Sequence, residues 1–122
     1  PHHLSFATSL LPLTVEKQLG IIGMKIPARG RLMKTWTPPP LEQQREVERP
    51  AKPGTLDMRE AMYYTLSMPV STVIIGCDDV AQVEENVRLA REFTPLSAAQ
   101  MAEIAKKAEP VTKQALFFRR WT

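Results

Sequence analysis

The chain has 122 residues, 43% hydrophobic and 24% charged, proportions that exclude a disordered or fibrous protein and suit one modest domain. A net charge of +3, from 16 basic and 13 acidic residues, is too mild and too interspersed with acids to point to nucleic acid. No apolar run approaches the roughly 18 to 20 residues that a bilayer needs, no charged start precedes an apolar core, and Cys77, the single cysteine, leaves no internal disulfide possible; a cytoplasmic protein with no membrane partner is expected.

The chain opens on Pro1, not a methionine, and PHHLSF runs straight into an apolar pattern, which predicts a piece of a longer protein. His2 and His3 are adjacent, without the spacing of metal ligands and with no Cys, His or carboxylate cluster near them in sequence, so no metal is expected. Residues 1–18 carry Phe6, Ala7, Leu10, Leu11 and Val15 on a helical face. Pro12 interrupts it, so either the helix kinks there or a second short helix begins with Pro12 in its first turn.

Gly20 separates that helix from a short strand, Ile21 to Lys25, within a unit spanning 19–34. Lys25, Arg29 and Arg31, with Gly30 between the arginines, crowd the end of this strand. They make either a solvated basic loop or an anion site, since the ends of strands carry the site in parallel barrels. Residues 35–56 are the least ordered-looking part, with Pro38, Pro39, Pro40, Pro50 and Pro53 favouring extended backbone. Glu42 to Glu48 suits a short exposed helix, and Trp36 either lines a pocket or covers an edge. In 57–68, Asp57 and Glu60 form a capping-box pattern, Met58, Ala61, Met62 and Leu66 form the apolar face, and Pro69 stops the helix.

The segment 71–93 organises the rest. Ser71 to Ile75 is apolar, β-branched and without polar alternation, as in a strand buried in a parallel sheet. Gly76 ends it. From Val80 the period becomes helical, with Val80, Val83, Val87, Ala90 and Phe93 on one side and Gln82, Glu84, Glu85, Arg88, Arg91 and Glu92 mostly on the other. This predicts an amphipathic helix laid on a sheet, capped by Asp79 with Gln82 three residues on. A strand that turns directly into a helix start aims free amides and the helix dipole at one spot, which attracts an anion; equally, most such units bind nothing there, and Asp79 can satisfy the donors itself. In 97–122, Ser97 and Gln100 signal a third helix start, and Met101, Ile104, Ala105 and Ala108 form a stripe that ends at Pro110. Beyond it the tail mixes Phe117, Phe118 and Trp121 with Arg119 and Arg120, a pattern that favours docking of the aromatics on the rest of the protein.

The run PVSTVIIGCDDVAQVEENVRLAREFTPLS resembles the last strand and following helix of aldo-keto reductases, and LGIIGMKIPARGRL resembles the seventh strand and the loop after it. The resemblance implies an α/β fold, the C-terminal part of a (β/α)8 TIM barrel, incomplete in this chain and needing the remaining barrel strands. It also implies NADP or NAD as cofactor and a small carbonyl substrate in the complete enzyme. By the same likeness, Met24 takes the place that packs on the nicotinamide, and Lys25, Arg29 and Gly30 lie in the loop that passes the pyrophosphate. The family's Pro-Lys-Ser run, arginine and Glu-Asn pair fall on Gly76 and Cys77, on Gln82, and on Glu85 and Asn86. The pair that contacts adenine is therefore present, whereas the two cations that hold a 2′-phosphate are replaced by Gly76 and Gln82 beside Asp78 and Asp79. This predicts a weaker preference for NADPH than the family norm.

The family's catalytic Asp, Tyr, Lys and His lie on earlier strands, so this chain is expected to hold no catalytic residue and to be inactive alone. The resemblance thus implies the cofactor-binding part of an NAD(P)H-dependent oxidoreductase. The alternative is a non-catalytic α/β interaction module descended from one.

Overall fold

The computed structural model describes residues 6–116, which form α1 (Phe6–Ser9), α2 (Leu11–Glu16), β1 (Ile22–Met24), α3 (Met58–Leu66), β2 (Thr72–Ile74), α4 (Val80–Arg91), α5 (Ala98–Ala108) and α6 (Thr112–Ala115). The expectations that fall on His2, His3, Phe117, Phe118, Arg119, Arg120 and Trp121 lie outside the described residues. At the first helical segment the break resolves as two short helices, with Pro12 in the first turn of α2, where its missing N–H costs nothing.

β1 and β2 pair in parallel, with Ile22 opposite Thr72, Gly23 opposite Val73 and Met24 opposite Ile74. The start of the pair is tied by Ser71, whose amide donates to the Ile21 carbonyl and whose hydroxyl accepts from the Ile21 amide at 2.9 Å. One face of this small sheet, through Val73 and Ile75, meets the helical layer. The other presents Ile22, Met24 and Ile74, and Ile74 is 56% exposed. The Ser71–Ile75 strand is therefore parallel as expected but half-covered, because among the described residues helices pack on one side of it only.

Two apolar clusters hold the layer. Ile26, Met33, Leu56 and Ala61 gather Leu32, Met58, Val73, Ile75, Ile104 and Ala108 around them. Met62, Tyr63 and Leu89 collect Leu66, Ile75, Phe93 and Leu96. The starts of α3 and α5 carry complete capping boxes, Asp57 with Glu60 and Ser97 with Gln100, each satisfying two amides at once.

Of the apolar side expected to bury α4, Phe93 packs but the valines do not. Val80 is 72% exposed, and Val83 and Val87 are exposed as well, while Leu89 is 1% exposed beneath α3. Leu89 and Phe93 lie one helical turn apart and meet Tyr63, whose ring is edge-on to Phe93 at 5.1 Å and whose hydroxyl donates to the Leu89 carbonyl at 2.9 Å. α4 thus rests on α3 along one side and leaves its valine stripe uncovered.

Residues 35–56 also differ from expectation. They contain two single 3-10 turns, Leu41–Gln43 and Glu46–Glu48, and polar side chains hold them down. Gln44 is buried, donating to the Pro39 carbonyl and accepting from the Ala51 amide, both at 2.8 Å. Glu48 is 3% exposed. Extended backbone at Gln44 and Arg45 separates the two turns, and inward-facing amide and carboxylate groups supply the order that an apolar stripe would otherwise give.

Candidate cofactor site

Because β1 and β2 are parallel and in register, the segments that follow Met24 and Ile74 leave the sheet at the same edge. That brings residues 25–31 and the start of α4 to one end of the sheet, the end at which sites are built in parallel α/β proteins.

The loop after β1 is held in an unusual conformation. Lys25, Ala28 and Arg29 have φ of 59°, 51° and 54°, and Gly30 follows at 84°. Left-handed backbone costs non-glycine residues about 1–2 kcal/mol each, and such strain persists only where surrounding contacts impose it. Here the amides of Ala28, Arg31, Leu32 and Met33 donate to the carbonyls of Lys25, Ala28, Pro27 and Gly30, winding the loop into consecutive turns. Gly30 is required twice over, since its φ disfavours a side chain and a Cβ would stand 3.1 Å from Trp36 Cδ1.

The three cations expected at this strand end divide. Arg31 turns inward: its Nη2 bonds both carboxylate oxygens of Glu48, at 3.1 and 3.2 Å, and its guanidinium lies 5.2 Å from the Trp36 ring centroid. It is a structural ion pair, and Trp36 is the surface on which it rests. Lys25 and Arg29 are exposed and carry the left-handed backbone.

At the other segment, Gly76 is exposed and a Cβ there would meet no atom within 4 Å. Asp79 caps α4 by accepting the Gln82 amide at 2.9 Å, and the Gln82 side chain accepts from the Asp78 amide at 2.8 Å. The return bond thus lands one residue earlier than in the expected capping box. Cys77 and Asn86, the seventh residue of α4, come together, with Asn86 Nδ2 donating to Cys77 Sγ at 3.2 Å. Glu85 is exposed on α4, and Met24 is exposed on the open face of the sheet. Among the described residues no group of three His, Cys, Asp or Glu could hold a metal ion, and no helix is long and apolar enough to cross a membrane.

Sequence reasoning missed Glu48 and Gln114, the buried polar residues that fasten the loop. Their partners lie 17 to 83 residues away in sequence, so no local pattern signals them.

The chain superposes on the aldo-keto reductase AKR11C1 from Bacillus halodurans in its holo form with a TM-score of 0.59 and 30% identity, over 80% of this chain and 36% of that one. This chain is similar to an aldo-keto reductase. The apo form of the same reductase gives a TM-score of 0.58 at 30% identity, over 80% of this chain and 37% of that chain. No protein-family model matches the chain, and no curated protein matches it by sequence. The chain therefore spans a little over a third of the reductase it matches, and its parallel strands and helices correspond to about a third of an aldo-keto reductase barrel. The open sheet face and the uncovered valine stripe of α4 are what a segment of a closed barrel would show.

Proposed function

We propose that this chain is the C-terminal, cofactor-binding part of a nicotinamide-dependent aldo-keto reductase acting on a small carbonyl compound, with the general acid and the remaining strands supplied by sequence outside it. The observation that carries this reading is the parallel pairing of β1 with β2, which brings the strained loop 25–31 and the start of α4 to one edge of a sheet similar to that of a reductase.

The residues present suit a dinucleotide. Space is open beside Gly76, and the amides of Val80 and Ala81 begin a helix whose dipole favours an anion. Lys25 and Arg29 bring positive charge to the pyrophosphate. Asn86, with one N–H given to Cys77, keeps its carbonyl oxygen for the amino group of adenine, and Glu85 stands on the adjoining surface. Met24 offers a polarisable thioether on the open face of the sheet, suited to packing on a flat ring. The bound cofactor supplies the hydride; this chain binds and orients it and contributes no acid or base.

Asp78 and Asp79 set the preference between the two nicotinamide cofactors. They place negative charge where a 2′-phosphate would approach, and Gly76 and Gln82 offer no cation against it. Titration of the complete protein with NADH and NADPH tests both levels of the reading. Binding of both, with dissociation constants within about tenfold of each other, is expected. Absence of binding overturns the cofactor role, and strong discrimination for NADPH overturns the charge argument alone.

A further inference from the structure

The strongest feature outside the proposed contacts is Gln114, in α6 and 4% exposed. Its Nε2 donates to the Arg31 carbonyl at 2.9 Å and to the Lys52 carbonyl at 2.7 Å, and its Oε1 accepts from the Lys52 amide at 3.0 Å. All three bonds go to backbone of distant loops. A buried amide bonded in this way has one orientation, because reversing it would set its oxygen against two carbonyl oxygens.

The Arg31 carbonyl is the exit of the left-handed loop, and Met24, paired in the sheet, is its entrance. Residues 25–30 are thus strung between one end held by β1 and another held by Gln114. A second tie supports the exit, where the Arg31 side chain meets Glu48, and the turn that carries Glu48 packs against α6. Lys52, Glu48 and Arg31 are therefore gathered at α6, where Gln114 bonds the backbone of both Arg31 and Lys52.

We propose that Gln114 is a positioning residue that ties the C-terminal segment to the loop after β1 and sets residues 25–31 for the pyrophosphate of a dinucleotide. The inference rests on the cofactor reading above. It makes affinity for ligands that carry a pyrophosphate depend on α6, while affinity for a ligand confined to the start of α4 does not.

The test compares ADP-ribose with AMP, which lacks the pyrophosphate, on the complete protein and its Gln114→Met variant, which keeps length and removes all three bonds. ADP-ribose is expected to bind the variant about tenfold more weakly, with AMP affinity unchanged. Amide hydrogen exchange is expected to quicken in residues 25–33 and around Lys52 and to stay as it was in α4. Unchanged ADP-ribose affinity, or equal weakening of both ligands, overturns the positioning role while leaving the cofactor reading intact. Failure of the unmodified protein to bind either ligand overturns the cofactor reading, and the positioning role with it.

Gln114→Glu serves where the methionine variant does not fold. Its carboxylate still accepts from the Lys52 amide but repels the two carbonyls. Selective loss of ADP-ribose binding near neutral pH, recovering as the carboxyl is protonated, supports the role; a pH-independent ratio of the two affinities overturns it.

Discussion

At Gly54 the chain passes so close to the Leu32–Met33 peptide that an added Cβ would lie 2.1 Å from the Leu32 carbonyl carbon and 2.4 Å from the Met33 nitrogen. Both are backbone atoms and neither can swing aside. The approach is locked by amides of Gly54, Thr55 and Leu56, which donate to the carbonyls of Met33 and Leu32. Gly54→Ala is expected to cost about 3 kcal/mol or more, read as a lower denaturation midpoint with an unchanged slope. Gly76 is the opposite case, since its side-chain space is empty. Gly76→Lys should fold as well as the parent and shift preference toward NADPH by about tenfold in the ratio of dissociation constants. A variant that binds NADPH no better would remove Gly76 from the site. Only the neighbouring backbone tells the obligatory glycine from the one that leaves room.

At the scale of elements, short signals did well and faces did poorly. The caps on α3 and α5 depend on residues three apart and stand as the pattern predicts. Asp57→Ala should lower stability by about 1 kcal/mol, measured by chemical denaturation. Glu60 joins this cap to α5 through an ion pair with Lys107. The Lys107 ammonium is held above its ordinary value of 10.5, chiefly by its hydrogen bond to Glu60 and by the charge of that carboxylate, against some desolvation. A raised folded value means the contribution is fully present below pH 10.5 and is lost as pH climbs through the folded pKa. Stability should therefore fall more steeply above pH 10.5 in the parent than in Glu60→Gln, whose amide oxygen still closes the cap. Parallel pH profiles for the two proteins would count against the coupling. The buried side of α4 was not legible in the same way. Its valines and Phe93 mark an apolar stripe, yet α3 covers Phe93 and the neighbouring Leu89 and leaves the valines exposed, because which residues meet a partner depends on where that partner stands.

Taken whole, the described residues expose apolar groups on the open sheet face with Ile22, Met24 and Ile74, along the stripe of Val80, Val83 and Val87, and on the first helices at Phe6, Leu13 and Val15. Exposed apolar faces of this kind are expected where further protein packs. The 122-residue chain alone is expected to self-associate or to melt without a sharp transition, observable by sedimentation and calorimetry. A cooperative melt of a monomer would favour a free-standing module over part of a barrel. The sequence by itself determined what short range can carry: the punctuation of strand and helix, the helix caps, and two blocks similar to the last units of a reductase. Tertiary structure decided what depends on distant partners. It turned Arg31 inward to Glu48, ordered the proline-rich segment through Gln44 and Gln114, and chose the packed side of α4. The physical reason is that a hydrogen bond between residues 31 and 114, or a helix face that waits for another strand, leaves no periodic trace in the residues around it.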